Sequence, residues 1–170
     1  RVSIDGADYT VGVFLQANFG AREQMTVLGV PAGQHLTAHK LRGRDQGSVI
    51  AIVATDAPLQ PHQLKRLARR VPMGLARTGT VGNNGSGDIF LAFSTANEQA
   101  YENGGAQVRN SLVLRNNALD PLFNAVVEAV EEAVIDSIVC NQTMTGRDGN
   151  MSVALPVDQL LELKKKYKHI

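Results

Sequence analysis

Scarcity of cysteine is the first constraint. Cys140 is the one cysteine in 170 residues, so neither an internal disulfide nor a thiolate metal cluster can form within the chain. A lone thiol suits a reducing compartment, and a cytoplasmic home is the expectation, with a periplasmic one left open. Charge of one sign is also missing. Seventeen basic residues stand against sixteen acidic ones, a formal net charge of +1, so no overall field draws the chain to nucleic acid or to a membrane, and neither is expected as a partner. No apolar run approaches the roughly 18 to 20 residues of a membrane span. The opening, Arg1-Val2-Ser3-Ile4-Asp5-Gly6, lacks the basic, apolar and cleavage-site succession of a secretory leader. Internal repeats and stretches long enough to be disordered linkers are absent too.

What is present is a globular composition. With 44% hydrophobic residues over 170, the chain can bury one good core, which predicts a single domain over 1–170. Because it opens without Met, in what reads as the middle of a fold, it is expected to be the C-terminal part of a longer precursor.

Tyr9 to Asn18 mixes alternation with β-branched and aromatic residues and predicts a strand ending at the Asn18-Phe19-Gly20 turn. A second short strand is expected from Gln24 to Val30, stopped by Pro31, and then a polar, exposed, cleavable loop from Ala32 to Gly47. Ser48 to Asp56 is apolar on both faces, as expected of a central strand covered on both sides. Leu64, Leu67, Ala68, Val71 and Leu75 form one stripe of a helix from about His62 to Arg77, which Pro72 should kink or break. Thr80 to Asp88 reads as a loop, Ile89 to Thr95 as a further apolar strand, and Val108 to Leu114 as one more. A long helix follows Asp120-Pro121 to about Asn141, with Leu122, Val126, Val130, Val134 and Ile138 inward. Thr143 to Asn150 is an unusual loop, and a last amphipathic helix from Pro156-Val157-Asp158 buries Leu160, Leu161 and Leu163. Strand, helix, loop, strand is the pattern of a layered α/β fold.

Several positions invite chemistry, and each also has an ordinary role. A serine at the head of a buried strand is commonly a strand-capping residue. Gly47 before Ser48 adds something, because glycine can hold a peptide in a conformation open to attack. A serine freed as an N-terminus would carry its own base in an α-amine with a pKa of roughly 7.7 to 8.0. Ser86 and Asp88, two apart where a loop enters a strand, project to the same face and could present a hydroxyl and a carboxylate together; the ordinary alternative is a solvated turn. Asn18 at a strand end offers a side-chain N–H to an oxyanion, or is a turn asparagine. Gly82 to Gly87 resembles a phosphate cradle only weakly, without P-loop spacing or a following helix. His35 and His39 have no carboxylate beside them and predict no metal site. Lys65, Arg66, Arg69, Arg70 and Arg77 make a locally basic helix without aromatic neighbours in sequence, read as a solvated face or subunit contact. Cys140, on the apolar side of a helix, reads as packing.

Taken together, a set of segments resembles the L-aminopeptidase/D-esterase (DmpA-like) and β-peptidyl aminopeptidase family. They are Gln16-Ala17-Asn18-Phe19-Gly20; Gly47-Ser48 with Val53-Ala54-Thr55-Asp56-Ala57-Pro58-Leu59; Gly74-Leu75-Ala76-Arg77-Thr78-Gly79; Ser86-Gly87-Asp88-Ile89-Phe90-Leu91-Ala92-Phe93; and Thr143-Met144-Thr145-Gly146-Arg147-Asp148-Gly149. The resemblance implies an α/β fold built as a four-layer αββα sandwich, and a proenzyme cut between Gly47 and Ser48 into an α chain ending at 47 and a β chain of 48–170. It implies that Ser48 is the nucleophile, that Asn18 stabilises the oxyanion, and that Ser86 and Asp88 support the nucleophile and its amine; some relatives carry Glu in place of Asp88. It further implies a short peptide or amino-acid amide or ester as substrate, no cofactor and no metal, and a homotetramer in which the α-chain portion of the same precursor is retained. The alternatives are an inactive binding or assembly protein of the same fold and an acyl transferase of the ornithine acetyltransferase type. The latter uses a threonine nucleophile, against which Ser48 speaks.

Overall fold

The computed structural model describes residues 1–37, 47–98, 105 and 108–167. A small hairpin, β1 (Val2–Ile4) and β2 (Ala7–Tyr9), leads into the principal sheet of β3 (Val11–Asn18), β4 (Ser48–Thr55) and β5 (Ile89–Ser94), in that order. β3 and β4 are antiparallel, whereas β4 and β5 are parallel. A parallel pair needs a long crossover, and the crossover here consists of α2 (Pro61–Ala68) and α3 (Val71–Arg77). With α4 (Asp120–Val139) they form the helical layer over one sheet face. The chain between 32 and 35 forms a short helix, α1 (Ala32–His35); β6 (Met144–Thr145) and β7 (Met151–Ser152) form a second hairpin; α5 (Val157–Lys166) closes the described chain. Among the described residues no helix is long and apolar enough to cross a membrane.

Alternation in β4 decides where the core lies. Val49, Ala51, Val53 and Thr55 are buried and face the helices, where they meet Leu67, Val71 and Leu75 of the crossover and Leu122, Val126, Val130 and Val134 of α4. The α4 set recurs every four residues, which places it on one stripe of the helix. Gly74 lets α3 and α4 come together: a Cβ there would stand 2.6 Å from Val127 O and from Val130 Cβ.

The opposite face of the sheet is apolar but open. Phe14, Ile50 and Leu91 are 65%, 40% and 54% exposed. β4 is central in strand order, as expected, but only one of its faces is covered within this chain, because the described residues contain one helical layer against the principal sheet. One sheet with helices on one side and bare apolar side chains on the other is the form of half a four-layer sandwich.

Other expectations are corrected in detail. Gln24 to Val30 is not a strand: Arg22–Gln24 is a single 3-10 turn, and Leu28 and Gly29 at φ of 48° and 80° fold the chain back so that only Val27 and Val30 pair. Ala32, Gly33 and Leu36 are buried rather than part of an exposed loop, since they pack into a second apolar cluster with Val27 and Leu160; the remainder of the expected cleavable loop, 38–46, lies outside the described residues. The predicted helix of 62–77 breaks at Arg69-Arg70, and Pro72 falls in the first turn of α3, where a missing N–H costs nothing. Val108 to Leu114 forms no strand. Asn97 instead receives the Leu112 N–H and donates to its carbonyl (2.8 and 3.0 Å), and Leu114 N–H donates to Pro58 O. Buried Gln63 ties the same segment to α2 by donating to Leu114 O at 2.8 Å and to Asn116 at 3.0 Å. Thr143 to Asn150 belongs to the β6–β7 hairpin, turning through Asp148 and Gly149 at positive φ. Leu161 is exposed, because α5 turns Leu160 inward. Cys140 is exposed at the end of α4, with its thiol donating to Asp136 Oδ1 at 3.3 Å, so it is not a packing residue.

Candidate active site at the head of the central strand

Register brings the expected residues together. At one end of the β3–β4 ladder, Asn18 lies directly opposite Ser48. On the other side of β4, pairing of Ile50 with Ile89 sets Asp88 beside Val49, and Val49 N–H donates to Asp88 Oδ1 at 3.0 Å. The Ser86 hydroxyl donates to the same carboxylate oxygen. Two residues apart at the entry of a strand, these side chains share a side as alternation requires. The loop before them is pinned by Ser86 N–H donating to Asn83 O at 2.9 Å.

Ser48 Oγ accepts the Gly87 main-chain N–H at 3.1 Å. This donor was not legible in the residue pattern, since any residue but proline supplies an N–H; only the parallel pairing of β4 and β5 aims it. Ser48, Ser86 and Asp88 are all half-buried, while Asn18 is exposed. Gly47, Ser86 and Asp88, with Phe19, Thr80 and Asn83, surround a recess of about 20 Å³, which is room for about one water molecule.

The arrangement has definite chemical capacities. A hydroxyl at the head of the central strand is held from one side by a fixed dipole. A carboxylate sits one peptide from the Ser48 nitrogen, where an amine would appear if the preceding bond were cut. A carboxamide stands opposite the hydroxyl. Groups of these kinds are chemically able to serve as a nucleophile, an anion that holds an ammonium or amine, and a donor for developing negative charge.

A larger cavity of about 870 Å³ starts at Asn18 and Phe19 and runs past Arg22 and His35 to Ser137 of α4 and Gln159 of α5. No sequence signal pointed to it, because its walls come from five separate stretches. His35 lies there with its Nε2 hydrogen-bonded to the Tyr167 hydroxyl at 2.8 Å, and His39 lies outside the described residues. No group of three or more His, Cys, Asp or Glu suited to a metal ion occurs among the described residues. The Gly82 to Gly87 loop leads into β5 rather than a helix, so it has no helix N-terminus to offer a phosphate. Three of the five basic residues on this stretch have structural partners: the Arg66 and Arg70 guanidinium groups lie 5.1 and 3.8 Å from the Phe123 ring centre, and Arg77 pairs with Glu131 at 3.0 Å. Their aromatic neighbour comes from α4, far away in sequence.

The chain is 42% identical over 184 residues to the β-peptidyl aminopeptidase BapA of Sphingosinicella microcystinivorans, covering 99% of this chain and 46% of that protein. It is 34% identical over 180 residues to the enzyme of the same name from Sphingosinicella xenopeptidilytica, covering 96% and 44%. Among solved structures, the PH0078 protein from Pyrococcus horikoshii OT3 superposes with a TM-score of 0.88 at 47% identity, over 98% of this chain and 45% of that one. The L-aminopeptidase D-Ala-esterase/amidase from Ochrobactrum anthropi, a prototype for the serine aminopeptidases with a variant of the Ntn hydrolase fold, does so with a TM-score of 0.87 at 38% identity, over 98% and 46%. The chain therefore spans less than half the length of the relatives it matches and shares their fold over nearly all of its own. Residues 1–152 match the sequence model of peptidase family S58, and the chain belongs to that family.

Proposed function

We propose that this chain is the C-terminal part of a self-processing serine aminopeptidase, amidase or esterase in which Ser48 is both the cleavage residue and the nucleophile. The observation that carries the reading is the convergence on β4: Asn18 opposite Ser48 in register, and Asp88 bonded to the next main-chain N–H. In maturation, Ser48 Oγ adds to the Gly47 carbonyl and the C–N bond breaks as its nitrogen takes up a proton. Water then hydrolyses the resulting ester. The products are a Gly47 carboxylate and a Ser48 with a free amine.

In turnover, Ser48 Oγ attacks the carbonyl of the substrate's N-terminal residue and its proton passes to the Ser48 amine. That proton is then delivered to the leaving amine or alcohol, and water hydrolyses the acyl-enzyme. Asp88 and Ser86 hold the amine in place. Asn18 donates to the oxyanion, a contribution of about 3 to 4 kcal/mol for a preorganised donor. Short peptides, amino-acid amides and amino-acid esters are the substrate class, and the names of the relatives support D-residues or β-peptides among them. The reading extends to a homotetramer that retains the α-chain portion, on resemblance, and to a cytoplasmic location, which the lone thiol favours.

The test is intact mass together with turnover in the full protein. The native protein should contain a fragment beginning Ser-Val-Ile, and Ser48→Ala should be uncut and inactive. Cleavage of the alanine variant between 47 and 48 would overturn the nucleophile assignment. A single uncut mass for the native protein would favour the inactive binding or assembly protein.

A further inference from the structure

We propose that α5 is a clasp that fastens the end of the upstream chain to the downstream chain across the self-cleavage site; the post-cleavage role rests on the reading above. α5 lies beyond residue 152, where the family model ends, although relatives match nearly the whole chain. Its inward side chain, Leu160, is 7% exposed and belongs to a cluster apart from the main core, shared with Val27, Ala32 and Leu36. Immediately after α5, the Tyr167 hydroxyl hydrogen-bonds His35 Nε2 at 2.8 Å, and the two rings meet edge to face at 5.8 Å.

All of these contacts join residues before 47 to residues after 48. Cutting the Gly47-Ser48 bond would make Leu36 and His35 part of a chain end, a place where segments ordinarily fray. β3 upstream of them is held by its ladder to β4, but α1 has four residues, too few to persist alone. Its backbone bonds are local: Gly33 N–H donates to Met25 O at 3.0 Å, Ala32 N–H to Val30 O at 2.7 Å, Gln34 N–H to Pro31 O at 3.2 Å and Leu36 N–H to Ala32 O at 2.9 Å, all within the upstream chain. Leu160 of α5, with Ile135 of α4, supplies apolar cover for this turn, and Tyr167 adds a polar cross-tie from just beyond α5. The same contacts wall the large cavity, since His35 and Leu36 line it from one side and Pro156 and Gln159 from the other.

The experiment is amide hydrogen exchange on the full protein, in native form and as Leu160→Ala and Tyr167→Phe. The Gly33 and Leu36 amides should exchange about tenfold faster in Leu160→Ala and severalfold faster in Tyr167→Phe, with the β3–β4 ladder amides unchanged. Native rates at Gly33 and Leu36 in both variants overturn the clasp. If Leu160→Ala loses ladder protection and so fails to fold, the milder Tyr167→Phe decides alone. Intact mass separates the two claims: an uncut native protein removes the self-cleavage reading and the post-cleavage role, while the exchange rates still judge whether α5 fastens α1.

Discussion

The Gly87 main-chain N–H points at Ser48 Oγ from 3.1 Å, so the proposed nucleophile is oriented by backbone rather than by a side chain. A Cβ at Gly87 would stand 3.5 Å from that oxygen, an ordinary contact. We predict that Gly87→Ala retains most of the turnover, whereas Gly87→Pro, which deletes the donor, lowers it roughly ten- to a hundredfold, the equivalent of about 1–3 kcal/mol. Steady-state kinetics on the cleaved variants, with melting curves to confirm folding, provide the comparison; equal activity in both would show the N–H to be idle.

Asp88 accepts from Val49 N–H and from the Ser86 hydroxyl, so its substitution tests charge and geometry separately. Asp88→Asn keeps an acceptor oxygen but loses the anion, and we expect turnover to fall about a hundredfold or more with the fold intact. Asp88→Glu keeps the charge and should retain more activity. An asparagine variant as active as the native protein would remove Asp88 from the mechanism.

The two faces of the principal sheet should respond differently to truncation. Leu67 of α2, packed against the covered face, is fully buried, and Leu91, on the open face, is 54% exposed. In this chain alone, Leu67→Ala should cost about 2–5 kcal/mol, and Leu91→Ala about 0.5 kcal/mol or less. In the full protein the Leu91 cost should climb toward the core value. Denaturant unfolding of both forms checks this, and a small Leu91 cost in each would mean the face stays bare.

Cys140 donates its thiol proton to Asp136, and that hydrogen bond, with the carboxylate charge behind it, holds the thiol above its ordinary pKa. Asp136→Asn removes the charge, lowers the thiol pKa and raises the thiolate fraction at any pH below it. Alkylation near neutral pH should therefore be faster in the variant. An unchanged rate, or a slower one, would show that Asp136 does not control the thiol.

Residue pattern carried the sheet and the long helix α4, whereas the candidate site was carried by the resemblance of short segments to a known family, each residue alone having an ordinary role as well. β3, β4, β5 and α4 have strong periodicity and clear stops, so their limits fall within a few residues of expectation. Ser86 and Asp88 could be placed together because alternation along a strand is local. Ser48 meeting both Asn18 and Asp88 is a matter of register, which no single strand contains. The misread segments share one cause. Val108 to Leu114 and Gln24 to Val30 are rich in apolar residues, yet side-chain bonds from Asn97 and Gln63 and the positive φ at Leu28 satisfy or bend the backbone without a ladder. The half-covered face of β4 was illegible for another reason: residue type reports that a face is apolar, and what covers it is a property of the assembled protein.

Eight residue pairs from Val11↔Thr55 to Asn18↔Ser48 join β3 to β4, and the proposed cut falls between those two strands in sequence. Before it, closing that ladder is a unimolecular event; after it, the partners must find each other by diffusion. The mature protein would then be a product of its precursor's folding, and its recovery from denaturant should depend more steeply on concentration than that of uncut Ser48→Ala, which needs diffusion only to assemble whole protomers.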